Sequence, residues 1–225
     1  MKKTFGTLFL LTSALTLANE TPTISVTGTG SISGKPDTFN IVATVETINT
    51  NSQTAINENT TIINNAINLL KKTGLKESNI KTENYSLNYR NDYNVKDGEM
   101  KYFVRNQIMI TSNDLDKAGT VLTALNNGGV NNIGEINFFI ADRKELEDKA
   151  YKLAYENAKA KASLIAGIDN FKISPKNIDL NYSMPRPISF MLNTSAKADD
   201  TPIPLTVPND VDVTASMNVV FYMEK

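Results

Sequence analysis

The chain contains no cysteine, no histidine and no tryptophan, and these absences exclude several kinds of chemistry before any motif is considered. Without cysteine there is no disulfide, no thiol nucleophile and no lipid-modified cysteine after a signal sequence. Without histidine, Ser-His-Asp triads and the usual zinc and copper sites are excluded as well. Stability must come from packing, and only carboxylates, lysine, tyrosine, serine and threonine remain as catalytic candidates.

An excess of one charge is also missing, since 23 basic residues stand against 24 acidic ones. This balance gives no reason to expect nucleic acid or an anionic membrane as a partner. The apolar run over residues 5–17 is shorter than the roughly 20 residues that a membrane-spanning helix needs. Because it follows Lys2 and Lys3 and ends near Ala18, we predict a secretory signal peptide over residues 1–18. The mature chain, 19–225, would be periplasmic, with no transmembrane segment and a net charge of −3.

The first strand is predicted over residues 24–37, where apolar side chains alternate with serine and threonine. Pro36 and Asp37 then turn the chain into a second strand over residues 39–45, and we expect the two to form the first strand pair. Gly28 and Gly30 lie inside the first strand and not before a helix, which argues against a dinucleotide-binding loop. We interpret these glycines as marking a bulge or a sharp bend.

Hydrophobic periodicity predicts the elements of the middle of the chain. These are an amphipathic helix over 52–72, a hairpin of strands 80–89 and 102–111, a second amphipathic helix over 115–125 capped by residues 112–114, and a strand over 133–140.

A long helix predicted over residues 143–166 has the most regular composition in the chain. Alanine occupies every fourth position, at 150, 154, 158, 162 and 166. Such a row of methyl groups lets another element approach closely, so we predict tight packing on a sheet or a helix. Alanine is also the best helix former, and helix propensity alone is the alternative explanation.

The last part of the chain changes character. A strand is predicted over residues 171–182, and residues 183–209 contain five of the eight prolines, which predicts a long irregular segment. The closing strand, 211–224, is apolar at every odd position, and Val220 and Tyr222 indicate where a neighbour covers its outer face. We therefore predict an α+β fold in one domain, with antiparallel-rich sheets packed against two amphipathic helices and one long alanine-rich helix.

Three acidic residues near the predicted hairpin turn, Asp92, Asp97 and Glu99, are the candidates for a carboxylate site. Such a pair performs acid and base catalysis in glycosidases, and carboxylate oxygens bind calcium. Neither the spacing nor the flanking residues match a calcium loop, however. The simpler interpretation is a solvated acidic turn.

Four tyrosines lie in the same region: Tyr85, Tyr89, Tyr93 and Tyr102. They would suit a stacking platform for sugars, but aromatic packing across the strands of the hairpin is the more favoured interpretation.

The order of several short motifs resembles the SIMPL family, also called DUF541, over essentially the whole mature chain. The motifs are Ile-Ser-Val-Thr-Gly-Thr-Gly at 24–30, Pro36-Asp37, Ile-Lys-Thr-Glu-Asn-Tyr-Ser-Leu at 80–87, Asn-Asn-Gly-Gly-Val at 126–130 ahead of Ile-Asn-Phe at 136–138, the alanine row, and Thr-Pro-Ile-Pro at 201–204. Bacterial members of this family include periplasmic immunogenic proteins of pathogens.

The resemblance implies a periplasmic or outer-membrane-associated protein that assembles into a homo-oligomer, with a role in envelope or oxidative stress tolerance. The family has no established catalytic residues, so we assign no catalytic, cofactor-binding or metal-binding residue and expect no enzyme activity. The alternative is a periplasmic ligand-binding or hydrolytic protein that uses the carboxylate and tyrosine loop. For an oligomer, we expect contacts through the proline-rich segment 183–209 or the closing strand.

Overall fold

The computed structural model describes residues 21–94, 98–181, 188–190 and 203–225. Within them lie eight strands: β1 (Thr23–Gly34), β2 (Thr38–Asn49), β3 (Ile80–Asp92), β4 (Glu99–Ser112), β5 (Asn132–Phe139), β6 (Lys172–Asn181), β7 (Ile188–Phe190) and β8 (Val211–Glu224). The helices of the same part of the chain are α1 (Ser52–Lys72), α2 (Ala118–Asn127) and α3 (Lys144–Ile168). The α+β class is confirmed. The predicted signal peptide, residues 1–18, lies outside the described residues.

The strands form two antiparallel sheets, and β1 and β2 belong to different sheets. One sheet has the order β1-β8-β6 and the other the order β3-β4-β2-β5-β7. The predicted pairing of the first two strands is therefore wrong, because β1 pairs with β8 along its whole length, from Thr23 opposite Tyr222 to Gly34 opposite Val211. The hairpin of β3 and β4 is confirmed.

Asp37 fixes the point where the chain passes from one sheet to the other. Its Oδ1 accepts hydrogen bonds from the Thr38 hydroxyl (2.7 Å) and the Ala141 N–H (2.8 Å), and its own N–H donates to the Phe139 carbonyl (3.1 Å). The turn predicted at Pro36 and Asp37 is thus the connection between the two sheets, and its hydrogen bonds hold it against the end of β5. A local pattern predicts that the chain turns, but not which sheet it enters.

The larger core lies between the five-stranded sheet and the helices α1 and α2. Helix α1 has the predicted bounds, because the Asn51 side chain accepts the Thr54 N–H (3.0 Å) at its start and Gly74, at φ +86°, follows its end. The predicted cap of α2 is wrong. Ser112 Oγ accepts the N–H of Asp114 (3.1 Å), a 3₁₀ turn over Leu115–Lys117 follows, and α2 begins only at Ala118.

The smaller core lies between α3 and the three-stranded sheet. All five alanines of the row are buried, at 2% exposure or less, so the predicted close packing is confirmed. A Cβ on Gly28 would overlap the Ala154 carbonyl oxygen and lie 2.7 Å from the Ala158 Cβ. Gly28 and Gly30 are paired with β8 without a register shift, so they mark close helix approach and not the predicted bulge or bend.

The closing strand β8 is the centre of its sheet, with β1 on one side and β6 on the other. Its odd positions from Val211 to Phe221 are buried, as the alternation predicts. On the other face the Lys176 Nζ of β6 lies 5.0 Å from the centre of the Tyr222 ring, so the chain itself covers part of this ring. Both edges of β8 are hydrogen bonded, and edge pairing with another subunit is not available to it.

The proline-rich segment is described only in part, and residues 183–187 and 191–202 lie outside the described residues. The strand β7 falls within the range predicted as irregular and pairs with β5. At the other end of the segment, the Ile203 N–H donates to the Thr123 hydroxyl of α2 (3.1 Å), and Leu205 and Val207 pack against the larger core. This end folds back onto its own subunit. No helix among the described residues is long and apolar enough to cross a membrane.

Candidate functional site on the β3–β4 hairpin

The hairpin tip carries the predicted carboxylates, and a lysine binds two of them. Asp92 is opposite Glu99 in the register, and the Lys101 Nζ lies 3.2 Å from Asp92 Oδ2 and 3.3 Å from Glu99 Oε2. The second oxygen of Asp92, Oδ1, accepts the N–H of Asn94 (3.1 Å), which closes the turn. Asp97 lies outside the described residues.

The electrostatics of this tip do not suit acid catalysis. The hydrogen bond from the backbone of Asn94 lowers the pKa of Asp92 below its ordinary value, and Lys101 lowers it further, although burial acts in the opposite direction. The pKa of Lys101 is raised, first by its hydrogen bond to Asp92 and then by that to Glu99. A general acid at neutral pH needs a raised carboxyl pKa, so Asp92 is a structural, ionised partner.

Two of the four tyrosines contact each other across the hairpin, and three of the four are at least half exposed. Tyr89 and Tyr102 stand opposite each other across the hairpin, with ring centres 4.5 Å apart and planes inclined by 33°. This confirms the predicted packing between strands. Tyr85 is 50% exposed and Tyr93 is 85% exposed. Among the described residues, no group of three acidic side chains is placed to hold a metal ion.

An uncovered apolar surface runs along β3, and we call Tyr85, Leu87 and Tyr89 the hairpin strip. In the register Leu87 faces Val104, which has the same parity as the core residues Ile108 and Ile110. The hairpin strip therefore lies on the face that carries α1 and α2, but beyond these helices. The exposed fractions of its side chains are 50%, 43% and 55% in chain order.

The alternation of residues 80–89 predicts this apolar face, but not its exposure. Among the described strands, β3 is also the outermost of its sheet, with β4 as its hydrogen-bonded neighbour on one side only. The sequence does contain one sign of an exposed strand, the polar residues Glu83, Asn84 and Asn88. All three are exposed in the structure. Such a strand is typical of a sheet edge.

Comparison with known proteins places the chain in a family. The family model SIMPL, described as a protein of unknown function (DUF541), matches residues 24–221. The chain belongs to the SIMPL family. Its relatives include the protein YggE of Escherichia coli K12, of Escherichia coli O157:H7 and of Shigella flexneri, each described as uncharacterized. Each is 26% identical over 195 residues, which cover 83% of this chain and 77% of the relative.

The SIMPL match includes both sheets, both cores and the whole β3–β4 hairpin. The hairpin strip and the lysine-bound carboxylates therefore belong to the matched part of the chain. The descriptions of the family and of these relatives assign no activity, so the roles of individual SIMPL residues rest on the geometry of this chain.

Proposed function

We propose that this SIMPL protein is a non-catalytic periplasmic or envelope-associated protein that assembles into a homo-oligomer through β3. The observation that carries this proposal is the hairpin strip, an exposed apolar row on a 13-residue strand whose outer edge no described strand pairs with. Contiguous exposed apolar surface is typical of interaction sites. An open edge adds unpaired backbone N–H and C=O groups that accept another strand.

The other sheet shows how this chain protects an edge. Strand β1 is also outermost, but the Asn157 side chain of α3 accepts the Thr29 N–H (3.2 Å), and the Lys161 Nζ donates to the Thr27 carbonyl (2.9 Å). Helix α3 thus occupies backbone groups in the middle of the β1 edge. The contrast supports β3 as the edge that is free for another subunit.

The sequence of β3 suits pairing with a second copy of itself. In an antiparallel pair centred on Leu87, Tyr85 of one copy stands opposite Tyr89 of the other, so both strips lie on one face. Between Asn84 and Arg90, where β3 has no register irregularity, Arg90 is the one charged residue, and it then faces Asn84. No like charges oppose each other, which removes the main obstacle to self-pairing.

We base the other parts of the proposal on different observations. The absence of an enzyme activity is supported by the lack of cysteine and histidine and by the lysine-bound, ionised Asp92. The periplasmic location is supported by the signal-peptide pattern of residues 1–18. The role in envelope or oxidative stress tolerance is supported by the family resemblance alone.

The test is the molar mass of the purified protein, measured by light scattering after size exclusion. We expect an oligomer for the wild type and a smaller species for Leu87→Lys, because a charge in the hairpin strip is costly to bury at a contact. Leu164→Lys is the matched control, since Leu164 is 75% exposed on α3, outside the strip. This control should keep the wild-type mass.

Circular dichroism of both variants shows whether each is folded, and neither leucine is a core residue. A monomeric wild-type protein at micromolar concentration would overturn the proposal. An oligomer that survives Leu87→Lys unchanged would show that β3 is not the contact.

A further inference from the structure

A polar pocket lies on the face of the hairpin opposite the hairpin strip. It has a volume of about 410 Å³ and is lined by residues of three adjacent strands: Glu46 of β2, Ser86, Asn88, Tyr89 and Arg90 of β3, and Phe103 and Arg105 of β4. Small-molecule sites have volumes of roughly 300–1,000 Å³, so the pocket is large enough for a compact ligand.

The sheet register builds this pocket. Arg105 stands between Glu46 on one side and Ser86 on the other, and Phe103 stands opposite Asn88. The backbone at Glu46 is held by Asn131, whose side chain accepts the Glu46 N–H (3.0 Å) and donates to the Glu46 carbonyl (2.7 Å). Because these positions lie on regular, paired strands, the pocket walls are preorganised.

Phe103 forms the floor and Arg90 one wall. Phe103 is only 5% exposed, and the guanidinium carbon of Arg90 lies 4.0 Å from the centre of its ring. Stacking on an aromatic ring holds the guanidinium flat while its N–H groups remain able to donate. Arg90 is thereby fixed as a donor at the rim of the pocket.

The two arginines have no ionic partner in the described part of the chain, in contrast to the neighbouring lysine. Lys101, on the same face, is bound by both Asp92 and Glu99. No carboxylate among the described residues lies within 4.0 Å of the guanidinium groups of Arg90 or Arg105, although Glu46 is directly opposite Arg105 in the register. The pocket therefore presents two guanidinium groups that no described carboxylate binds, together with one carboxylate, one hydroxyl and one amide.

We propose that this pocket binds a small organic anion that also carries hydroxyl groups. Its phosphate or carboxylate would be bound by Arg105 and Arg90, since guanidinium groups donate two parallel hydrogen bonds to such oxygens. The Ser86 hydroxyl and the Asn88 amide supply further donors. Glu46 accepts from a hydroxyl group of the ligand, which distinguishes a hydroxylated anion from a bare one. This site shares β3 with the proposed contact, but all of its lining residues belong to one chain, so the proposal does not depend on assembly.

The test is isothermal titration calorimetry of the purified protein at low ionic strength, with separate titrations of glucose 6-phosphate and tartrate. These two probes distinguish a phosphate from a carboxylate as the bound group. Glucose serves as the neutral probe. We expect saturable binding of at least one anion at millimolar concentration or below and no binding of glucose.

Two variants assign the binding to the pocket. Arg105→Gln should weaken the affinity for the bound anion about tenfold to a hundredfold, because it removes a charge-assisted hydrogen-bond pair. Arg143→Gln is the matched control, since this guanidinium is paired with Glu147 on α3, and it should leave the affinity unchanged. Because Arg105 is exposed, its variant should fold like the wild type.

Three results would overturn the proposal. The first is that neither anion binds the wild type at millimolar concentration. The second is that glucose binds as tightly as glucose 6-phosphate. The third is that Arg105→Gln and Arg143→Gln bind the anion equally well.

Discussion

At the scale of single residues, a buried asparagine links helix α1 to the five-stranded sheet. Asn59 is fully buried in α1, and its amide donates to the carbonyls of Val45 (3.0 Å) and Val104 (3.2 Å) on adjacent strands. It lies four residues from both Ala55 and Ile63, on the buried face of the helix. These two hydrogen bonds fix the helix on the sheet, while the Asn59 Oδ1 is buried with no hydrogen-bond partner among the described residues.

Asp92 stabilises the hairpin tip through its ion pair with Lys101 and the hydrogen bond that it accepts from Asn94. The variant Asp92→Asn should reveal this contribution in the pH dependence of its melting temperature. An asparagine cannot form the ion pair with Lys101, so we expect a lower melting temperature than that of the wild type at neutral pH. The pKa of Asp92 in the folded protein lies below the ordinary value of 3.8. The stabilisation that the ionised carboxylate gives to the folded state is therefore complete above pH 3.8. It is lost as the pH falls through the lower, folded pKa.

Thermal melts from pH 7 down to about pH 3 check this, since the difference between the two proteins should narrow below about pH 4. Asp116→Asn, which changes an exposed carboxylate on the 3₁₀ turn, is the control and should melt like the wild type throughout. A constant difference at every pH would mean that the charge of Asp92 contributes nothing.

At the scale of elements, the spacing of the alanines in α3 matches the spacing of the glycines in β1. Alanines four residues apart on a helix are about 6 Å apart, and glycines two residues apart on a strand are about 6.7 Å apart. Gly28 therefore meets Ala154 and Ala158, and Gly30 meets Ala150 and Ala154. Small residues on both elements let the two backbones approach, and this contact sets the position of the helix on its sheet.

Ala158→Leu tests this contact by enlarging one alanine of the row. The added side chain has no space, because Ala158 is fully buried and lies against Gly28. We expect the free energy of unfolding to fall by about 1–3 kcal/mol and the melting temperature by roughly 3–10 °C.

The matched control is Ala160→Leu in the same helix, since Ala160 is exposed. Its free energy of unfolding should change by no more than about 0.5 kcal/mol. Differential scanning calorimetry measures both variants. Equal melting temperatures for the two would show that the row does not pack as described.

At the scale of the whole molecule, the pairing of β1 with β8 joins the two ends of the described chain. Thr23 is opposite Tyr222, and the Met223 N–H donates to the Pro22 carbonyl (2.8 Å). Pairing of strands so distant in sequence must overcome a large loop-closure entropy. The fold of the three-stranded sheet therefore requires both β1 and β8.

The predicted removal of residues 1–18 would not disturb this arrangement. Cleavage after Ala18 would leave β1, which begins at Thr23, intact and paired. We expect mass spectrometry of the protein from a periplasmic fraction to find an N-terminus at or near Asn19. An intact Met1 on a cytosolic protein would contradict the periplasmic location.

Part of the candidate site was predictable from the alternation of apolar and polar residues along the hairpin. The hairpin, the pairing of Tyr89 with Tyr102 and the proximity of Asp92 to Glu99 all follow from alternation around one turn. The role of Lys101 was not predicted, because its ion pairs depend on which face of β4 it occupies. The pocket around Arg105 was missed for a similar reason, since three strands contribute to it and β2 is distant in sequence.

The sequence by itself determined the family, the α+β class and the type of nearly every element, because periods of 3.6 and 2 residues are local properties. Only the tertiary structure decided that β1 pairs with β8, that β8 is central and that the hairpin strip is uncovered. A periodic pattern specifies which side of an element is apolar, but not which element covers that side. That choice depends on contacts between distant parts of the chain.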